Sequence, residues 1–134
     1  MRVPDTAEMI DLWDRSAGKA SIERSMELLS LAAIAGDPAE LSIGRRDASL
    51  FRLRERFFGP LLSNIADCPS CGERVEWSGD LRELVAGEGG KGERFTLHAE
   101  PYVVSFRLPN SYDLLNASDY RENPDQLLLD CILE

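Results

Sequence analysis

Cys68-Pro69-Ser70-Cys71-Gly72 runs straight into Glu73-Arg74-Val75-Glu76-Trp77, and the fold turns on how this stretch is read. Two thiolates separated by two residues bind one tetrahedral metal from the same side. Pro69 stiffens the turn between them, and Gly72 is free to take the positive φ that a knuckle needs. The spacing therefore predicts half of a zinc site. Zinc takes four ligands, and no second C-x-x-C occurs in these residues.

Two other readings of the pair stand beside the zinc knuckle. A redox C-x-x-C opens a helix, whose N-terminus lowers the thiol pKa. Here the motif leads into an alternating, strand-like segment, Glu73 to Trp77. A disulfide requires an oxidising compartment. The strand-like context favours the knuckle, with Cys68 and Cys71 as metal ligands and their sulfurs converging at Zn–S distances near ~2.3 Å when metal is bound. The remaining candidate ligands are Cys131 and the single histidine, His98. Against them, a lone histidine in a strand-like run is commonly structural. Cys131 sits among Leu127, Leu128, Ile132 and Leu133, where a thiol commonly behaves as a buried apolar group.

Working outward, the 134 residues make one domain, with helices over 1–60, the knuckle and a small sheet over 61–107, and further helices over 108–134. The predicted class is α+β: a mainly helical domain carrying a small antiparallel β zinc-knuckle module. The hydrophobic fraction of 43% suffices for a core. The net charge of −9 argues against non-specific nucleic-acid binding and against an anionic membrane surface. There is no signal-type apolar run at the N-terminus and no stretch near the ~20 apolar residues of a spanning helix. Together with three cysteines, two of them in the knuckle, this predicts a cytoplasmic protein in a producer or host cell. Arginine outnumbers lysine 13 to 2, as a GC-rich genome would give.

Ala7 to Ala17 reads as a helix with Met9, Ile10 and Trp13 on one stripe. Ser21 is placed to cap a second helix running to about Ala35, with Ile22, Met26, Leu29 and Ala33 facing the core; Gly36-Asp37-Pro38 stops it. Ser42 to Phe58 forms a third, with Leu50, Leu53 and Phe57 on a wide apolar face and Phe51 and Phe58 on the adjacent row. After the knuckle, Asp80 caps a short helix through Val85. Gly87 to Gly92 reads as a flexible connection rather than a phosphate loop, since it lacks G-x-x-x-x-G-K-[ST]. Arg94 to His98 and Tyr102 to Arg107 read as strands, forming one small sheet with Val75 to Trp77. A helix over Tyr112 to Ala117 follows. Asn123-Pro124-Asp125-Gln126 then starts a last helix running to Glu134, so apolar that either further chain or a partner must cover it.

Arg45, Arg46, Arg52, Arg54 and Arg56 cluster on the third helix, whereas residues 108 to 134 carry six acids against Arg121. A solvated face pairing with the chain's own acidic surface explains the cluster, and aromatics are not interleaved as a single-strand binder requires. The sequence shows no catalytic constellation. His98 has no evident nucleophile partner, and no G-x-S-x-G elbow occurs.

Leu41-Ser42-Ile43-Gly44-Arg45-Arg46-Asp47-Ala48, Leu53-Arg54-Glu55-Arg56, Phe58-Gly59-Pro60, Cys68-Pro69-Ser70-Cys71-Gly72 and Phe106-Arg107-Leu108-Pro109 with Asp113-Leu114 together resemble one family, and Leu12-Trp13-Asp14-Arg15 fits its opening helix. It is the T-even-type phage baseplate or hub-assembly family, also found in clusters of phage-tail-like contractile injection systems. The resemblance implies a non-enzymatic assembly chaperone or minor component whose partners are other baseplate, hub or tail proteins. Family members continue past the helix equivalent to 125–134 and bring a second CP-x-CG knuckle. The resemblance thus implies a truncated or short version lacking the C-terminal half, with an incomplete zinc site. The alternative expectation is an acidic zinc-ribbon adaptor or regulatory module of another cytosolic complex.

Overall fold

The computed structural model describes residues 1–85, 94–116 and 124–133. The expected glycine-rich connection at 87–92, Ala117, the Asn123 cap and Glu134 lie outside the described residues.

Helix α1, Thr6–Arg15, starts where the Asp5 side chain accepts the Glu8 amide and the Glu8 carboxylate accepts the Asp5 amide. Two otherwise orphaned donors are satisfied reciprocally. Arg2 adds a bidentate pair to Glu8 at 2.6 Å. The buried stripe is Leu12 and Ser16, one helical turn apart. Ile10 and Trp13 point outward instead, Trp13 with 75% exposure, which corrects the expected Met9–Ile10–Trp13 face. Helix α2, Ser21–Leu31, begins one residue earlier than a Ser21 cap implies. Ala20 holds the cap position, and Glu23 accepts its amide. The helix stops at Leu31 because Ala33 takes a φ of 50°, so Leu29 and Ala32 are buried while Ala33 faces solvent.

Helix α3, Ile43–Phe58, is longer and differently anchored. Its first amide is satisfied by a distant carbonyl, Ile43 N–H to Pro109 O at 3.0 Å, rather than by a side chain. Leu53 is buried with 1% exposure; Leu50 and Phe57 are half-buried, and Phe58 is exposed. The arginines divide. Arg45, Arg52 and Arg56 face outward, but Arg46 donates to Asp47 and to the buried Ser111 hydroxyl. Arg54 donates to the carbonyls of Gly59 and Leu61, closing the helix end. Gly59 ends α3 at a φ of 79°.

Two antiparallel hairpins follow, where the sequence suggested a single sheet. Strand β1, Leu61–Asp67, pairs with β2, Arg74–Asp80, in the register Leu61↔Asp80 to Asp67↔Arg74. Strand β3, Phe95–Ala99, pairs with β4, Tyr102–Phe106, and the Phe95 and Phe106 rings stack at 5.6 Å. Between them, helix α4, Leu81–Leu84, is capped by Asp80 and buries Leu81. Helices α5, Ser111–Asn116, and α6, Pro124–Asp130, complete the described elements.

The last helix ends four residues before the expected Glu134. Ile132 instead bridges antiparallel to Phe106, Leu133 N–H donates to Ser105 O, and Arg107 N–H donates to Cys131 O. The segment 107–111 is thereby a joint. It holds the C-terminal turn through Arg107, α3 through Pro109 and the Ser42↔Asn110 bridge, and the α2–α3 connection through Ser111 N–H to Ala39 O. Six helices and two antiparallel sheets among the described residues give an α+β architecture. No helix among them is long and apolar enough to cross a membrane.

Candidate metal centre

The knuckle sits at the tip of the β1–β2 hairpin, and β1 is the element that carries it there. Gly59-Pro60 before it and Pro69 after it bound a run containing Leu61, Leu62 and Ile65, which is a strand signal; the alternating β2 also requires a partner. Sequence reasoning passed over this strand. Full pairing from Leu61 to Asp67 sets Cys68 at the first position beyond the ladder. Cys68 N–H donates to Glu73 O, and Gly72 N–H donates to Cys68 O, both at 2.8 Å. Closing so tight a loop requires Gly72 at a φ of 74°, the left-handed region that a side chain disfavours.

This loop gathers donors on one sulfur. Hydrogen bonding by the Cys71 and Ser70 amides, and then by the Cys71 side chain, favours the thiolate of Cys68. The donors hold the Cys68 thiol below its ordinary pKa, the Cys71 amide contributing most, against a smaller opposing effect of desolvation. Two thiols three positions apart on one tight hairpin loop fit half of a tetrahedral thiolate site. Cys68 and Cys71 would hold zinc there, and the ion would supply structural cross-linking of the loop rather than a hydrolytic centre.

Cys131 and His98 are placed elsewhere. Cys131 is 4% exposed in the turn after α6, its carbonyl accepting the Arg107 amide. Desolvation raises its pKa, with Arg107 acting in the opposite direction. His98 lies exposed on β3 opposite Val103. Among the described residues no group of three or more His, Cys, Asp or Glu is gathered as a metal cage needs, so neither residue joins Cys68 and Cys71.

The hairpin below the tip is unusually bare. Every residue from Ser63 to Ser78 is exposed except Cys68, including Ile65, Val75 and Trp77. Trp77 lies over its own strand: a methyl placed on Gly79 would meet its ring at 2.5 Å. Asp67 and Arg74 pair across the last rung at 3.4 Å.

A second polar cluster holds the C-terminal turn. Arg107 makes a bidentate pair with Asp113 at 2.6 and 2.7 Å and reaches the Asp130 carbonyl at 3.2 Å, while Asn110 N–H also donates to Asp113. The hydrogen bond to Arg107 is the main cause of the lowered Asp113 pKa. This pair belongs to the Phe106-Arg107-Leu108-Pro109 and Asp113-Leu114 strings, and its work is to fix the joint.

In comparisons with known proteins, no family model, no curated protein and no solved structure matches the chain.

Proposed function

We propose that this protein is a non-enzymatic assembly factor, a chaperone or minor component, of the baseplate or hub of a contractile phage tail or phage-tail-like injection system. The observation that carries the reading is the β1–β2 hairpin. It presents a thiol pair at its tip and exposed Ile65, Val75 and Trp77 along its strands, a binding element rather than a cleft. The sequence resemblance supplies the biological setting. Two of its strings, Leu41 to Ala48 and Phe106 to Pro109, are remote in sequence yet meet at the joint through Ile43 and Pro109.

In this reading Cys68 and Cys71 form a structural zinc knuckle, and the contacts are with other tail proteins. The same knuckle geometry favours, as a second reading, an acidic zinc-ribbon adaptor of another cytosolic complex. A pull-down from cells expressing the whole gene cluster separates the two. Recovery of baseplate or hub proteins, with loss of assembled particles on deletion, is the expected result. Fully assembled, active particles after deletion would overturn the proposal.

A further inference from the structure

Gly72 N–H donates to Cys68 O at 2.8 Å, which closes an α-turn with Cys68 as its first residue and Cys71 as its fourth. In α-turn geometry the first and fourth Cα atoms lie about 5 Å apart. A disulfide takes Cα atoms about 4.4–6.8 Å apart, so the turn holds the two cysteines at bridging range. Gly72 at a φ of 74° and the bond from Cys68 N–H to Glu73 O at 2.8 Å fix this spacing.

The hairpin itself does not depend on the sulfurs. Its ladder from Leu61↔Asp80 to Asp67↔Arg74 and both bonds that close the loop are made by main-chain atoms. The pair can therefore change its covalent state without unravelling the strands. Small reagents reach it, since Pro69, Ser70, Cys71 and Gly72 are exposed and Cys68 is half-buried. Exposed disulfides are the labile ones, made and broken by exchange with the surrounding thiol pool. Cys131, buried in the turn bonded to Arg107, stands apart from this chemistry.

We propose that the knuckle is a thiol–disulfide switch: Cys68 and Cys71 hold a zinc-type ion as thiolates and release it when exchange with a low-molecular-weight disulfide joins them. This rests on reading the pair as a structural metal knuckle. One thiolate of the pair attacks a sulfur of the small disulfide, whose other sulfur leaves as a thiolate. The second cysteine thiolate then attacks the mixed disulfide, forming the Cys68–Cys71 bond and displacing the remaining small thiolate. The electrons pass from the pair to the small disulfide, which ends as free thiols protonated by solvent. A disulfide sulfur carries no thiolate charge, so the ion loses these ligands and leaves as the hydrated cation.

The test loads the reduced full chain with Zn²⁺ under argon and then adds oxidised glutathione. A chromogenic chelator reads free zinc, and peptide mass spectrometry locates the bonded sulfurs. The expected result is zinc release in step with an internal Cys68–Cys71 disulfide, and zinc re-uptake after a phosphine reductant. Circular dichroism should stay unchanged throughout. C68S and C71S should each stop at the mixed disulfide with glutathione, while C131A should switch like the parent. Zinc retained after the Cys68–Cys71 bond has formed would overturn the switch and leave the knuckle reading standing. Stable mixed disulfides or cross-linked chains in the parent, in place of the internal bond, would do the same. Absence of zinc binding in the reduced parent, or binding unchanged in C68S/C71S, would overturn both.

Discussion

Leu53 fills the core position of α3 with almost no exposure, and Leu53→Ala is expected to cost about 2–5 kcal/mol in chemical unfolding. Phe57, half-buried, should cost less than Leu53 despite its larger ring. Equal or greater destabilisation by Phe57→Ala would contradict this ranking. The helical period placed both residues on one face, but depth on that face depends on which neighbours arrive. Likewise Trp13 shares a stripe with Met9 and Ile10, yet Leu12 is the residue that packs. Glu8 offers a second residue-level outcome. Its hydrogen bond with Arg2, then that with the Asp5 amide, lowers its pKa from 4.5 to about 2. A depressed carboxylate stabilises the fold above its unfolded value and loses that contribution as pH falls through the folded one. Melting temperature should therefore drop between pH 4.5 and about 2, and Glu8→Gln should flatten that part of the profile. An unchanged profile in the variant would count against the capping contact.

At the level of elements, the Gly72 turn and the Arg107 clamp decide most. Gly72→Ala forces a side chain into the left-handed region, at about 1–2 kcal/mol, and should loosen the loop around Cys68. Amide exchange at Ser70 and Cys71 measures this, and unchanged protection would refute it. Asp113→Ala strips the partner from Arg107 and from the Asn110 amide, with an expected loss of about 1–3 kcal/mol. That loss should appear first as faster exchange at Leu133, whose amide bonds Ser105. The short α4 and its Asp80 cap were legible because the signal is local. Strand β1 carried a weaker signal, an apolar run between Gly59-Pro60 and Pro69 whose alternation is irregular, and its pairing with β2 fixes its identity. The end of α6 was hidden, since bonds to Ser105 and Arg107, remote in sequence, pull residues 131–133 out of the helix.

For the whole molecule, composition and pattern conveyed the α+β class, whereas the separation into two hairpins depended on tertiary pairing that no local signal encodes. The C-terminal turn tests the proposed role. Leu128 is exposed on α6, and Ile132 is bridged to Phe106. Leu128→Asp should leave folding intact and abolish co-purification with baseplate components; a soluble variant that still co-purifies would remove α6 from the contact surface. Ile132→Asp should act differently, lowering stability by disturbing the bridged turn. Residues 107–111 carry a further consequence, one of timing. Each hairpin closes on neighbouring residues and needs only microseconds, of the order of 1–10 μs. The latch between Arg46 and Ser111 spans 65 residues. On a ribosome, the start of α3 therefore emerges long before the carbonyl that holds its first amide has been synthesised. The N-terminal helices must wait, unlatched, for Pro109 to appear, so this chain completes its architecture late and from its C-terminal side.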